Sequence, residues 1–253
     1  MSRLRILFAF LLSTPFVLSQ SDDPNELFDR ANEAYVAEDY DEAISLYQTI
    51  LGQGIHSAEL YLNLGNAYFK SDNTAASILY YERGLLVDPT DSRILNNLTF
   101  AENQRLDKID PLPLPLGQRV VKSFFSSLST VVWALISMVL GVAGLVLFLY
   151  YRKTSKRLWF TASITFYALA LSVFGLTLKA KNLAEKDQSA IIYAARVLVL
   201  SEPKEEAPVV FELHEGTKVQ LLERYQDYTH IRIANGQSGW MKDRELRRIK
   251  LSN

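Results

Sequence analysis

Two apolar blocks, residues 131–151 and 158–178, constrain this chain of 253 residues more than any other feature. Neither carries a charged side chain. Each is roughly 21 residues long, which at 1.5 Å per residue gives a helix of about 30 Å, the thickness of a bilayer's hydrocarbon core. A helix packed in a soluble core would show a polar face, and neither block has one. The pair therefore reads as a transmembrane hairpin: a first span over 131–151, a turn over 152–157 and a second span over 158–178. The turn holds Arg152, Lys153, Lys156 and Arg157. Basic loops stay on the cytoplasmic side, so the chain before residue 131 and after residue 178 is expected on the opposite side of the membrane. Neither span contains Asp, Glu, Lys, Arg or His, and ion or proton pathways are built on such groups, so a transporter or channel is disfavoured. Gly141 and Gly144 suit close helix packing.

The start of the chain agrees with that topology. Arg3 and Arg5 precede an apolar stretch over residues 6–12, and Val17 and Ser19 suit the positions before a cleavage point. Residues 1–19 therefore read as a signal peptide. The chain has no cysteine, which excludes disulfides, thiolate metal sites and a cysteine nucleophile. A net charge of −1 gives no general attraction to nucleic acid. His56, His214 and His230 are scattered and form no paired-histidine motif. No metal, cofactor or catalytic set is expected, and no enzyme activity.

Between residues 24 and 105 the chain repeats itself. An offset of 34 residues aligns Leu27 with Tyr61, Asn32 with Asn66, Tyr47 with Tyr81 and Leu51 with Leu85. Each unit reads as two amphipathic helices joined by a tight turn, Glu38-Asp39 in the first and Ser71-Asp72-Asn73 in the second. Asp88-Pro89 ends the second unit, because proline disfavours helix in the residue before it. The stretch Tyr61-Leu62-Asn63-Leu64-Gly65-Asn66-Ala67-Tyr68, the segment Asp39-Tyr40-Asp41-Glu42-Ala43-Ile44 and the Asp88-Pro89 turn resemble the tetratricopeptide repeat. Ser77 stands where that family usually has alanine, and residues 92–105 resemble a capping first helix. The resemblance implies a peptide-binding scaffold with a concave face lined by the first helices. In one mode of the family a partner's C-terminal carboxylate is clamped by cations and asparagines. Asn32, Asn63 and Arg93 stand at matching positions, while Phe28 and Asn97 stand where two cations would be. Asn32, Asn63, Asn66, Lys70 and Arg93 are the expected partner-binding residues of the array.

Residues 106–130 form a Pro-rich linker and juxtamembrane segment. Pro111, Pro113 and Pro115 alternate with leucine, which favours an extended, semi-rigid spacer. Val120, Val121, Phe124, Phe125 and Leu128 then fall on one helical face, as in a helix lying at the membrane surface.

After residue 189 the pattern changes from helical to alternating. Short apolar runs over 191–200, 209–213, 217–222, 228–233 and 239–241 are punctuated by Pro203, Pro208, Glu215-Gly216 and Asn235-Gly236. Asn235-Gly236 is a strong hairpin signal, and the whole predicts a small β-barrel over residues 189–250. Phe211-Glu212-Leu213-His214-Glu215-Gly216-Thr217-Lys218-Val219 and Asn235-Gly236-Gln237-Ser238-Gly239-Trp240 resemble bacterial SH3-like domains. Leu198 and Leu200 stand where that family often has polar residues before the early turn. Trp240 reads as core, and Tyr225 and Tyr228 as exposed loop rings able to touch a protein ligand.

The fold class is thus multidomain α and β: a helical repeat array, a two-helix membrane hairpin and an SH3-like barrel. The order of signal, repeats, proline spacer, hairpin and barrel is similar to the BatE-like family of the Bacteroides aerotolerance (Bat) group across nearly the whole chain. That resemblance implies an envelope scaffold in the bacterial inner membrane with both soluble domains periplasmic. Its implied partners are other Bat-type membrane proteins or their peptide segments; the SH3-like resemblance adds cell-wall peptide, the apolar spans add the lipid bilayer, and the net charge gives no reason to expect nucleic acid. The alternative is an envelope stress or signalling component that couples through its membrane helices.

Overall fold

The computed structural model describes residues 23–113, 130–186 and 188–250. The expected signal peptide and the amphipathic juxtamembrane face at residues 120–128 lie outside these residues. Five helices come first: α1 (Pro24–Val36), α2 (Tyr40–Gly52), α3 (Ala58–Lys70), α4 (Thr74–Val87) and α5 (Ser92–Gln104). Their starts follow from side-chain caps. The carboxylate of Asp39 accepts from Glu42 N–H, Ser57 Oγ from Leu60 N–H and Asn73 Oδ1 from Ala76 N–H, each meeting a donor that the first turn leaves unpaired. Glu38 and Asp72, equivalent positions in the two repeats, turn the chain with φ of 63° and 59°.

Small residues set how closely these helices pack. A Cβ on Gly65 would lie 2.5 Å from Cε1 of Tyr81, so the Tyr81 ring rests on bare backbone. Ala31 and Ala43 are fully buried in the first unit. Ser77, also fully buried, satisfies its hydroxyl by donating to the carbonyl of Thr74 at 2.9 Å.

Two further helices, α6 (Thr130–Thr154) and α7 (Arg157–Lys186), form an antiparallel pair. Both are long and apolar enough to cross a membrane, and only 11% and 17% of their apolar windows are buried, unlike a helix at the heart of a soluble core. Ser163 Oγ donates to the carbonyl of Gly144 at 2.9 Å, and Ser137 Oγ to that of Ala170 at 3.1 Å. Gly144 lies against the Tyr167 ring, whereas Gly141 faces open space, so only one of the two glycines serves helix packing. The turn is tighter than the expected 152–157: helix continues through Thr154, resumes at Arg157, and Ser155 adopts a φ of 53°.

The C-terminal part is an antiparallel sheet of seven strands in the order β3-β2-β6-β5-β4-β1-β7. These are β1 (Ser189–Ile192), β2 (Arg196–Leu200), β3 (Val209–His214), β4 (Lys218–Tyr225), β5 (Tyr228–Arg232), β6 (Ser238–Lys242) and β7 (Leu246–Arg248). The apolar run expected over 191–200 is two strands, because the backbone N–H groups of Tyr193 and Ala194 leave the ladder to bond the carbonyl of Glu245. Val197, Val199, Leu213, Ile231 and Met241 fill the core. Asn235-Gly236 makes the expected turn between β5 and β6, with Gly236 at φ +88°.

Array and barrel share apolar packing. Ile191 of β1 and Ile249 are buried among Leu62, Ile78, Tyr81 and Ile94 of the helices. Arg83 donates from Nε to the carbonyl of Ile249 and from Nη2 to that of Arg248, each at 3.1 Å. Lys218 Nζ meets Glu82 Oε1 at 2.6 Å. A Cβ on Gly216 would lie 3.1 Å from Ile78 Cδ1 and 3.2 Å from Arg105 Cγ, so α4 and the end of the array pass directly over its backbone.

Residues 106–113 are not a free spacer. Asp107 accepts three hydrogen bonds from the barrel: from His214 N–H at 2.7 Å, from His214 Nδ1 at 2.8 Å and from Thr217 Oγ1 at 2.7 Å. Ile109 packs against the barrel core. Pro111 and Pro113 have no N–H to offer, and the N–H between them, on Leu112, donates to the carbonyl of Ala234 at 3.0 Å. The Leu112 side chain lies where a Cβ on Gly236 would be, at 2.7 Å. The proline-rich strap is extended as its sequence requires, but it runs on the barrel surface.

Candidate functional site

The array presents a polar groove built from repeated pairs. Asn32 Oδ1 accepts from Tyr47 OH at 2.7 Å and from Asn63 Nδ2 at 3.0 Å. One repeat later, Asn66 Oδ1 accepts from Tyr81 OH at 2.8 Å and from Asn97 Nδ2 at 2.7 Å. Tyr47 and Tyr81 are almost wholly buried, and burial pushes the Tyr47 phenol up to about 12 and the Tyr81 phenol further in the same direction. Both hydroxyls stay protonated at ordinary pH and donate to the asparagine oxygens. Among the described residues the amide N–H groups of Asn32 and Asn66, and the amide oxygens of Asn63 and Asn97, make no hydrogen bond. Donors and acceptors thus alternate along the groove.

Two cavities of about 300 and 290 Å³ lie along this surface. Asn66, Asn97, Lys70, Phe69 and Phe100 border the first, and Asn32, Asn63, Asn66 and Val36 the second, with Tyr35 common to both. Val36 and Phe100 are 80% and 65% exposed, large apolar side chains uncovered beside polar ones. The structure therefore brings Asn32, Asn63, Asn66 and Lys70 together. Arg93 borders neither cavity. It sits in the first turn of α5, and its guanidinium is held by Asp91 at 2.7 Å. That hydrogen bond also keeps the Asp91 carboxyl below its usual range. Asn97 completes the groove in a position where a clamp would carry a cation, and its equivalence to Asn63 one repeat earlier is the signal for it.

In the barrel, Tyr225 is 53% exposed and ends strand β4, at a position expected to be loop. Tyr228 is not exposed: it begins β5, is 7% exposed, and its hydroxyl is buried with no hydrogen-bond partner among the described residues. Pairing of Tyr228 with Lys242 of β6 draws the ring inward. Trp240 is half-buried and stacks on His230 with 4.8 Å between ring centroids. Tyr228 borders two clefts, of about 570 and 270 Å³, between the loop over 201–208 and the short helical turn Asp243–Glu245.

The Asp107–His214 pair has the form of the orienting half of a general-base arrangement. Thr217 bonds to the aspartate and not to the imidazole, so this trio is no nucleophile set. Among the described residues no group of three metal-ligating side chains converges.

A tetratricopeptide repeat family profile matches residues 34–98, and a bacterial SH3 domain profile matches residues 194–248. A search of curated proteins finds no match. The two profiles fall on the helical array and on the sheet, and both kinds of module are typical of protein–protein interaction without catalysis.

Proposed function

We propose that this protein is a membrane-anchored envelope adaptor that holds an extended segment of a protein partner in the array groove and presents groove and barrel as one body. The partner we assign is another membrane protein of the Bat type. The observation that carries this reading is the asparagine ladder. Unused amide donors at Asn32 and Asn66 alternate with unused acceptors at Asn63 and Asn97, which is what the carbonyls and N–H groups of an extended peptide require. Lys70 and Phe100 add a charge and an apolar contact at the rim. The barrel packs mainly on α4 and the strap, with Leu62 of α3 and Ile94 of α5 at the same contact, while Asn32, Asn63, Asn66 and Asn97 border the two cavities of the groove. In this reading the basic turn at Arg152, Lys153, Lys156 and Arg157 faces the cytoplasm and both soluble parts are periplasmic. Signalling through the membrane helices has no observation of its own in support, because only Ser155 and Lys156 lie between α6 and α7.

The test is site-specific photo-cross-linking in native membranes. A photoreactive phenylalanine analogue at Phe100 should capture a Bat-type protein, and Lys70→Glu in the same chain should abolish capture. The same probe at Leu86, on α4, should capture none. Equal capture at both positions, or capture indifferent to Lys70→Glu, contradicts the reading.

A further inference from the structure

The buried hydroxyl of Tyr228 makes no hydrogen bond among the described residues. A hydroxyl removed from water without a partner costs stability, and natural structures satisfy nearly all such groups. Tyr228 lies at the boundary of the two barrel clefts, and Glu205, Lys242 and Arg244 border both with it. Lys242 Nζ binds Glu205 Oε1 at 2.6 Å, across from β6 to the loop over 201–208. The Glu205 side chain is 77% exposed and comes from a loop, so its carboxylate is a loosely held occupant. Arg244 forms no salt bridge among the described residues. Asp243 does not compete for these cations, because Thr229 Oγ1 donates to it at 2.7 Å and Arg248 meets it at 3.0 Å.

We propose that this cleft is a receptor for a peptide carboxylate, and that Glu205 occupies it in the unliganded protein. An incoming carboxylate displaces Glu205 from Lys242, takes a second charged contact from Arg244 and accepts the hydrogen bond that Tyr228 has to give. The site is separate from the array groove, and its success or failure leaves the adaptor reading untouched.

The test uses the full chain in detergent micelles and three probes followed by calorimetric titration: acetyl-Ala-Ala-Ala with a free carboxylate, acetyl-Ala-Glu-Ala-amide, and acetyl-Ala-Ala-Ala-amide. At least one of the two carboxylate peptides should bind while the uncharged amide does not, and which of them binds separates a terminal from a side-chain carboxylate. Glu205→Gln should tighten binding by up to about fivefold, the scale of one exposed ion pair removed from competition. Tyr228→Phe should weaken it about tenfold, the scale of a hydrogen bond to a charged group, while leaving the unfolding midpoint equal or higher. Binding of the uncharged amide, no binding by Glu205→Gln to either carboxylate, or a Tyr228→Phe variant that unfolds earlier without losing affinity would each overturn the proposal.

Discussion

Gly65 and Tyr81 meet where two helices of the array have no room to spare. A methyl group on Gly65 would overlap the Tyr81 ring, and that ring is pinned at its far end by Asn66. Overpacking costs about 1–3 kcal/mol, while alanine gains about 1 kcal/mol over glycine inside a helix. Gly65→Ala should therefore lose up to about 2 kcal/mol in denaturant unfolding; a raised midpoint would refute the close contact. The asparagine ladder makes an ordering prediction. Asn66→Ala removes the acceptor of the buried Tyr81 hydroxyl and should cost about 1–3 kcal/mol, whereas Tyr81→Phe removes the donor and should cost about 1 kcal/mol. Equal losses would mean that the hydroxyl is not dependent on Asn66. The ladder is legible in the sequence as Asn32, Asn66 and their partners recurring at the repeat spacing. Tyr228 is not legible in this way. Asp227 beside it marks a turn, and only the pairing of β5 with β6 shows that the ring faces inward. Arg93 is the opposite case: its spacing fits a groove residue, and the structure places its guanidinium on the N-cap Asp91.

At the scale of elements, the strap is the part that sequence reading misses. Alternating prolines fix it as extended, and nothing local says what it lies on. Its attachment joins Asp107 to His214 and Thr217, residues about one hundred positions away in a module of different type. Asp107, Arg83 and Glu82 each look like ordinary exposed charges at the ends of helical patterns. Burial raises the Asp107 pKa, but hydrogen bonds from Thr217 and His214 outweigh it and hold the carboxyl below its usual range. A depressed carboxylate stabilises the folded state above its unfolded value, and that contribution is lost as pH falls through the folded value. The barrel-to-strap contact should therefore weaken in acid below about pH 4. Asp107→Ala should cost about 2–4 kcal/mol at neutral pH by loss of charge-assisted bonds, and should flatten that acid limb of the stability curve. An Asp107→Ala variant with the parent's acid sensitivity would show that another carboxylate is responsible. The strand β7 is hidden for a related reason. Leu246-Arg247-Arg248 is charged and short, and it pairs as a strand with the edge of β1 while Arg83 takes the carbonyls of Arg248 and Ile249.

For the whole molecule, the hairpin, the array and the sheet are each legible because their periodicities differ: an unbroken apolar run, a repeat of helices and an alternation of strands. Their assembly is not, because it is made by single residues at long separation. Membrane sidedness is testable with the chain's own composition, since it holds no cysteine. In the proposed orientation, with Glu26→Cys, Ser155→Cys and Glu206→Cys made singly, a membrane-impermeant maleimide applied from the outer side of the membrane should label the first and third and spare the second. Labelling of Ser155→Cys alone would invert the topology.

The most direct test of the account is whether array and barrel act as one body. Glu82 and Lys218 face each other across their junction at 2.6 Å. With both replaced by cysteine and a protease site introduced between residues 114 and 129, a short thiol-specific cross-linker should keep the two cleavage fragments joined in native membranes. A control pair at Glu26 and Glu206 should let them separate. Fragments that separate equally in both cases would contradict a single rigid body and leave two independently tethered modules.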